Sequence, residues 1–157
     1  MIDIVKGNHV VTFPTKVASM MGQYSHVYNI VLGADEDNGV LASRGDYVNY
    51  DQYDEGAVTA NAVEGIIRGQ NSEGLWEVEI TKLPATEVLY LYNSPVSEYA
   101  ERDLQRESLF YNKEDEVIQG AVLIIGDVIS YSALAFTGTP VAGKAVKYAS
   151  KKFAVQA

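Results

Sequence analysis

The stretch from Glu116 to Ser132 constrains the fold more than any other part of this chain. It places Ala121-Val122-Leu123-Ile124-Ile125 before Gly126-Asp127, and Val128-Ile129-Ser130-Tyr131-Ser132 after it. Two β-branched apolar runs around a Gly-Asp pair predict two short strands joined by a tight turn. Glycine reaches positive φ without a steric penalty, and an aspartate can bond back to its own backbone. This run is the most hydrophobic part of the sequence and belongs in the core. A weaker echo lies upstream, where Asn38-Gly39-Val40-Leu41-Ala42-Ser43 leads through Arg44-Gly45-Asp46 to Tyr47-Val48-Asn49-Tyr50. The echo predicts a second hairpin on the same plan, as expected in a small barrel or sandwich.

Further strands are predicted on both sides of these hairpins. Leu75 to Ile80 has a clear period of two, with Trp76, Val78 and Ile80 on one face and Glu77 and Glu79 on the other. His26 to Leu32, Val58 to Arg68, Val88 to Tyr92, Leu134 to Phe136, Ala145 to Tyr148 and Phe153 to Val155 also read as strands. Ser94-Pro95 can cap and open a helix, so one short helix is expected just after it. In residues 1 to 25, Pro14, Gly22 and scattered Ser and Thr break any period, which predicts an extended N-terminal arm in which Val10 to Phe13 could form a short strand. The expected fold is mainly β: a small β-barrel or β-sandwich domain over residues 26–157, with one short helix and the arm before it.

At 157 residues and 47% hydrophobic content the chain is long and apolar enough for one globular domain. It has no cysteine, which removes disulfide frameworks, thiolate zinc sites and cysteine nucleophiles. The two histidines, His9 and His26, are too few for a histidine-dominated metal site or a Ser-His-Asp arrangement. A net charge of -9 repels phosphate and argues against nucleic acid. The charge is uneven. Asp127 is the last acidic residue, so Lys144, Lys147, Lys151 and Lys152 make the end of the chain purely basic. That segment is either a solvated strand edge or a strip that docks on an acidic neighbour. No secretion signal or membrane span is expected, because Asp3 sits where positive charge is needed and the uncharged stretch after Asp127 is polar.

Four motifs suggest chemistry. Gly138 to Lys144 has the spacing of a phosphate-binding loop, but Ala145 replaces the hydroxyl residue that would hold magnesium, and only twelve residues follow it. Asp35 to Gly39 resembles the start of a calcium loop, but its glycine is one position early and Asp46 stands where a bidentate Glu belongs. Arg44-Gly45-Asp46 spells an adhesion tripeptide, which a turn explains equally. Asp51, Asp54 and Glu55 could supply paired carboxylates for glycoside hydrolysis, but they lie in a polar turn where solvated carboxylates are the default. The expectation is therefore a protein that is not an enzyme, with no catalytic residue, cofactor or metal.

Several stretches together resemble the head decoration, or capsid cement, proteins of tailed bacteriophages. They are Val88 to Pro95, Tyr99 to Arg102, Phe110 to Lys113, Val117 to Asp127, Phe136 to Pro140 and Ala142 to Lys144, with Asn38 to Val40 and Arg44 to Asp46 upstream. Gln119 departs from the pattern where a basic residue is expected. The resemblance implies a virion structural protein, made in the bacterial host cytoplasm, that binds the outside of the assembled capsid as a homotrimer. It would clamp neighbouring major capsid subunits, its partner, without nucleic acid or membrane. Phe13, Met20 and Met21 in the arm and Lys144, Lys147, Lys151 and Lys152 near the end are the candidate capsid contacts. The alternatives are a tail or head-tail connector component, and a carbohydrate-binding β module using Trp76 and the tyrosines.

Overall fold

The computed structural model describes residues 10–21, 27–48, 51–72, 74–93 and 112–156. The strands are β1 (Thr12–Lys16), β2 (Val27–Val31), β3 (Leu41–Tyr47), β4 (Gln52–Gly56), β5 (Glu64–Gln70), β6 (Trp76–Lys82), β7 (Leu89–Tyr92), β8 (Val117–Val122), β9 (Val128–Tyr131), β10 (Phe136–Thr137), β11 (Ala145–Ala149) and β12 (Lys152–Val155). Seven form a sheet in the order β1-β9-β6-β5-β11-β12-β10, and the other five close into a barrel, β2-β4-β3-β7-β8. The mainly β expectation therefore holds, and a barrel and a sheet are both present.

The two bodies share one core. Leu41, Val88, Tyr90, Ala121 and Leu123 on the outer wall of the barrel pack with Val63, Ile67, Val78, Ile80, Ile129, Tyr131, Val146, Tyr148 and Phe153 of the sheet side. The barrel has its own interior, filled by Ile30, Leu32, Ala42, Leu89, Leu91, Ile118 and Val122. Strand β7 is thus covered on both faces, which is why its sequence is a continuous apolar run rather than an alternating one, while β8 is covered on both faces only from Gly120 to Val122, after the exposed Val117 and Gln119. Gly120 faces that interior, where a Cβ would lie 3.1 Å from Ile30, Leu89 and Leu91. The period-two strand behaves as its pattern requires. Val78 and Ile80 are fully buried, and Trp76 packs partly buried against the same cluster.

Neither Gly-Asp pair makes the hairpin expected of it. Gly126-Asp127 does turn the chain, but β8 belongs to the barrel and β9 to the sheet, so the turn is the crossing point between the two bodies. Gly126 adopts φ 101 there. The Asp127 carboxylate is buried and accepts the N–H groups of Ile124, at 2.9 Å, and Ala18, at 3.1 Å. Burial pushes the Asp127 carboxyl up, against the pull of those two amides. Gly45-Asp46 lies inside β3, at a bulge where the register slips between Arg44 and Tyr47. A Cβ on Gly45 would sit 2.6 Å from the Asp54 carbonyl oxygen, so the glycine serves a close backbone approach.

The arm expected over residues 1–25 is corrected for the part described. Thr12–Lys16 is an edge strand of the sheet, with Thr12 opposite Tyr131 and Phe13 opposite Ser130. Val10, Val11, Val17 and Ala18 are buried, and the Ser19 hydroxyl donates to the Val122 carbonyl at 2.7 Å. Pairing with β9 overrides the irregular composition, and Pro14 and a register slip are tolerated because the strand is at an edge. Residues 1–9 and 22–26 lie outside the described residues, as does the helix expected after Ser94-Pro95. Of the short strand expected over Leu134 to Phe136, Leu134 and Ala135 fall in the 3-10 turn Ala133–Ala135, and Phe136 opens β10.

Candidate functional site

The strand registers give the barrel two chemically different ends. At the end where β2 and β4 begin and β3 finishes, three tyrosines gather. Tyr28 and Tyr53 meet edge to face with centroids 5.6 Å apart, and Tyr47 meets Tyr53 the same way at 5.6 Å. Arg44 lies opposite them, its guanidinium carbon 4.7 Å from the Tyr28 ring centre and 5.0 Å from that of Tyr53. Glu87 pairs loosely with Arg44 at 3.9 Å. The local reason is the β3 bulge, which lets Tyr47 face Tyr53 across the strand pair. Tyr47 is 61% exposed and Val48 42%, so the end presents aromatic and apolar surface to solvent around an arginine.

The opposite end is polar and buried. Asn38 holds it together: its Nδ2 donates to the Asn93 carbonyl, and its Oδ1 accepts from the Asn93 amide at 2.9 Å and from Asn112 Nδ2. Glu36 exchanges two backbone hydrogen bonds with Asn112, each 2.8 Å. The Glu36 side chain is only 2% exposed and pairs with the Lys151 ammonium. Beyond that ammonium and the Glu55 carboxyl, no other hydrogen-bond donor reaches the Glu36 carboxylate among the described residues. Burial pushes the Glu55 carboxyl up to about 7, and its hydrogen bond with Glu36 adds to the rise. The Gly33 N–H, which donates to Glu55 Oε1 at 3.1 Å, and the charge of Lys151 pull the other way. Glu55, Lys151, Val40, Leu41, Val58 and Tyr148 help line a cleft of about 400 Å³ beside this cluster. The Tyr148 hydroxyl accepts the Leu41 N–H at 3.0 Å, and burial holds the phenol well above its ordinary value.

The predicted contact residues are dispersed. Phe13 is 56% exposed on the edge strand β1. Met20 and Met21 fall in the 3-10 turn Ala18–Met21. Lys144 and Lys152 are exposed, while Lys147 stands opposite Glu64 in the β11–β5 pairing. Lys151 points back to Glu36 of its own chain, so the acidic neighbour for that part of the basic segment is internal. Of the carboxylates considered for glycoside chemistry, Asp51 and Asp54 are exposed and only Glu55 is half-buried, with Glu36 as its partner. The pairing of Glu36, Glu55 and Lys151 had no sequence signal: Glu36 sits in what reads as an acidic turn, and Lys151 is 115 positions away (151 − 36).

The other motifs resolve as structure. Gly138 to Lys144 is a turn between β10 and β11, with the Lys144 N–H donating to the Val141 carbonyl. In the Asp35 to Gly39 loop the side chains diverge: Asp35 accepts the Glu114 N–H, Glu36 pairs with Lys151 and Asn38 binds Asn93. Among the described residues no group of three or more His, Asp or Glu side chains converges to hold a metal. Trp76 packs against the core rather than forming an open sugar platform. Comparison with protein-family models, with curated proteins and with solved structures gave no match.

Proposed function

We propose that this chain is a virion structural protein that binds the outer surface of an assembled tailed-phage capsid and bridges neighbouring major capsid subunits. The observation that carries the reading is the exposed barrel end, where Tyr47 and Val48 stand beside Arg44 stacked on Tyr28 and Tyr53. Tyrosine and arginine are the residues enriched where protein interfaces concentrate their binding energy. The sequence resemblance to capsid decoration proteins supplies the partner class. The contact set then extends from Phe13 and the exposed lysines Lys144 and Lys152 to Tyr47, Val48 and Arg44, and Lys151 leaves it because Glu36 engages its ammonium.

Binding only to the assembled lattice would stabilise that lattice by mass action. Copies joined as trimers around threefold positions would be retained through several contacts at once, so modest single-site affinity suffices. The test is co-sedimentation of purified protein with expanded capsid shells of the phage that encodes it. Wild type is expected to pellet with shells, and a Tyr47→Ser/Arg44→Ala double variant with an unchanged melting temperature is expected to stay in the supernatant. Full retention of that variant would remove the barrel end from the contact. Failure of the wild type to bind shells would refute the capsid reading itself.

A further inference from the structure

We propose that Glu36, Glu55 and Lys151 form a proton-operated latch between the barrel and the seven-stranded sheet, closed when the carboxyl pair holds one proton and loosened when it holds none. The three residues come from three elements: the loop after β2, strand β4, and the turn between β11 and β12. Two belong to the barrel side and one to the sheet side, so whatever joins them joins the bodies. A carboxyl-to-carboxyl hydrogen bond exists only while one partner is protonated. With one proton, the cluster holds one negative and one positive charge, which balance. Without it, two carboxylates face one ammonium at the wall of the cleft, and the second negative charge is uncompensated.

Among the described residues, the surrounding groups offer no substitute cation. Arg44 is the cross-strand partner of Glu55, but its guanidinium lies over Tyr28 and Tyr53 and pairs with Glu87. Tyr148 on β11 is a buried, neutral phenol. Asp35 accepts the Glu114 N–H, and Asp37 lines a small recess together with Lys151, adding negative charge rather than relieving it. The backbone independently marks Lys151. Ala149 pairs with Lys152, so Ser150 and Lys151 are the two central residues of the β11–β12 turn, and both have positive φ, 52 and 63. Such turns favour Asn-Gly, and a lysine there is costly unless its side chain has a specific task. The task here is to reach Glu36.

The sign of the effect follows from linkage. Glu55 has a raised value in the folded chain, so folding takes up a proton there between the ordinary carboxylate value of 4.5 and about 7. The latch is at full strength below that window, weakens as pH rises through it and is flat above it. Glu55 is only half-buried, so solvent screening reduces the ideal effect; the expected loss in the folding constant from pH 5 to pH 8.5 is still about tenfold or more.

The experiment is urea unfolding of the full chain and of Glu55→Gln at pH 5, 6, 7 and 8.5. Glutamine keeps a donor to Glu36 at every pH. The wild type is expected to lose stability relative to Glu55→Gln as pH rises, so that the variant is the more stable of the two at pH 8.5. Parallel profiles would overturn the proposal. Carbon-13 NMR titration of the Glu55 carboxyl in the wild type gives a reading that no variant can spoil: a midpoint near neutrality supports the latch, and one in the ordinary carboxylate range overturns it.

Discussion

The chain contains Gly-Asp twice, and replacing each aspartate with alanine should have opposite consequences. Asp127 is 2% exposed, and its carboxylate accepts two backbone N–H groups, one from Ile124 in its own turn and one from Ala18 in the N-terminal segment. Asp127→Ala leaves both amides without an acceptor at a site where little water enters. A hydrogen bond to a charged group contributes about 1.5–3 kcal/mol, so two of them set an upper bound near 6 kcal/mol. Burial disfavours the ionised carboxylate in the native state, as its raised pKa shows, and this brings the expected loss to about 3 kcal/mol. For a chain of this length that lowers the melting temperature by about 6–12 °C. Asp46 is exposed on the β3 bulge, and Asp46→Ala is expected to cost less than about 0.5 kcal/mol. Urea unfolding of both variants at pH 7, with m-values compared to confirm two-state behaviour, measures the difference. Equal losses in the two variants, or a loss below about 1 kcal/mol for Asp127→Ala, would refute the role of Asp127 in tying the crossing between barrel and sheet to Ala18 in the turn after β1.

Three further outcomes are expected. Gly120→Val should overpack the barrel interior against Ile30, Leu89 and Leu91 and cost about 1–3 kcal/mol or more by urea unfolding, whereas Gly143→Ala, with open space around its Cβ, should cost only the strain of its positive φ. Asn38→Ala removes the partner of the Asn93 amide and of the Asn112 side chain, and a loss of about 2–3 kcal/mol should appear in the same assay. Lys151→Ala strips the Glu36 carboxylate of its counter-charge; because the lysine is half-exposed, a loss of only about 1–2 kcal/mol is expected, larger at pH 8 than at pH 5, as thermal melts at the two values would show.

Strand positions were legible wherever the sequence met the rules of a half-buried or fully buried strand. Trp76-Val78-Ile80 alternates because one face of β6 meets the core, and Val88 to Tyr92 is solid apolar because β7 is buried on both sides. What the strands pair with was not legible. Val117 to Val122 and Val128 to Tyr131 look like the two arms of a hairpin, and local chemistry cannot tell that turn from a crossing between two bodies. Val10 to Phe13 reads as a possible short strand, but the segment around Pro14 reads as irregular because an edge strand tolerates a proline; its place is set by Tyr131 and Ser130, more than a hundred residues away. The latch was hidden for the same reason. Glu36, Glu55 and Lys151 each look like ordinary solvated charges, and only the folded topology buries the first and brings the others to it. The aromatic barrel end was half legible: a β-rich chain with 11 tyrosines has them available for contact surface, but their convergence on Arg44 depends on the β3 bulge.

The capsid reading is tested most directly by quantitative mass spectrometry of gradient-purified phage particles, scaling this chain against the major shell protein. A lattice-wide decoration protein predicts a ratio near parity. A trace ratio would instead identify a tail or head-tail connector component, and absence from the particles would contradict the virion account.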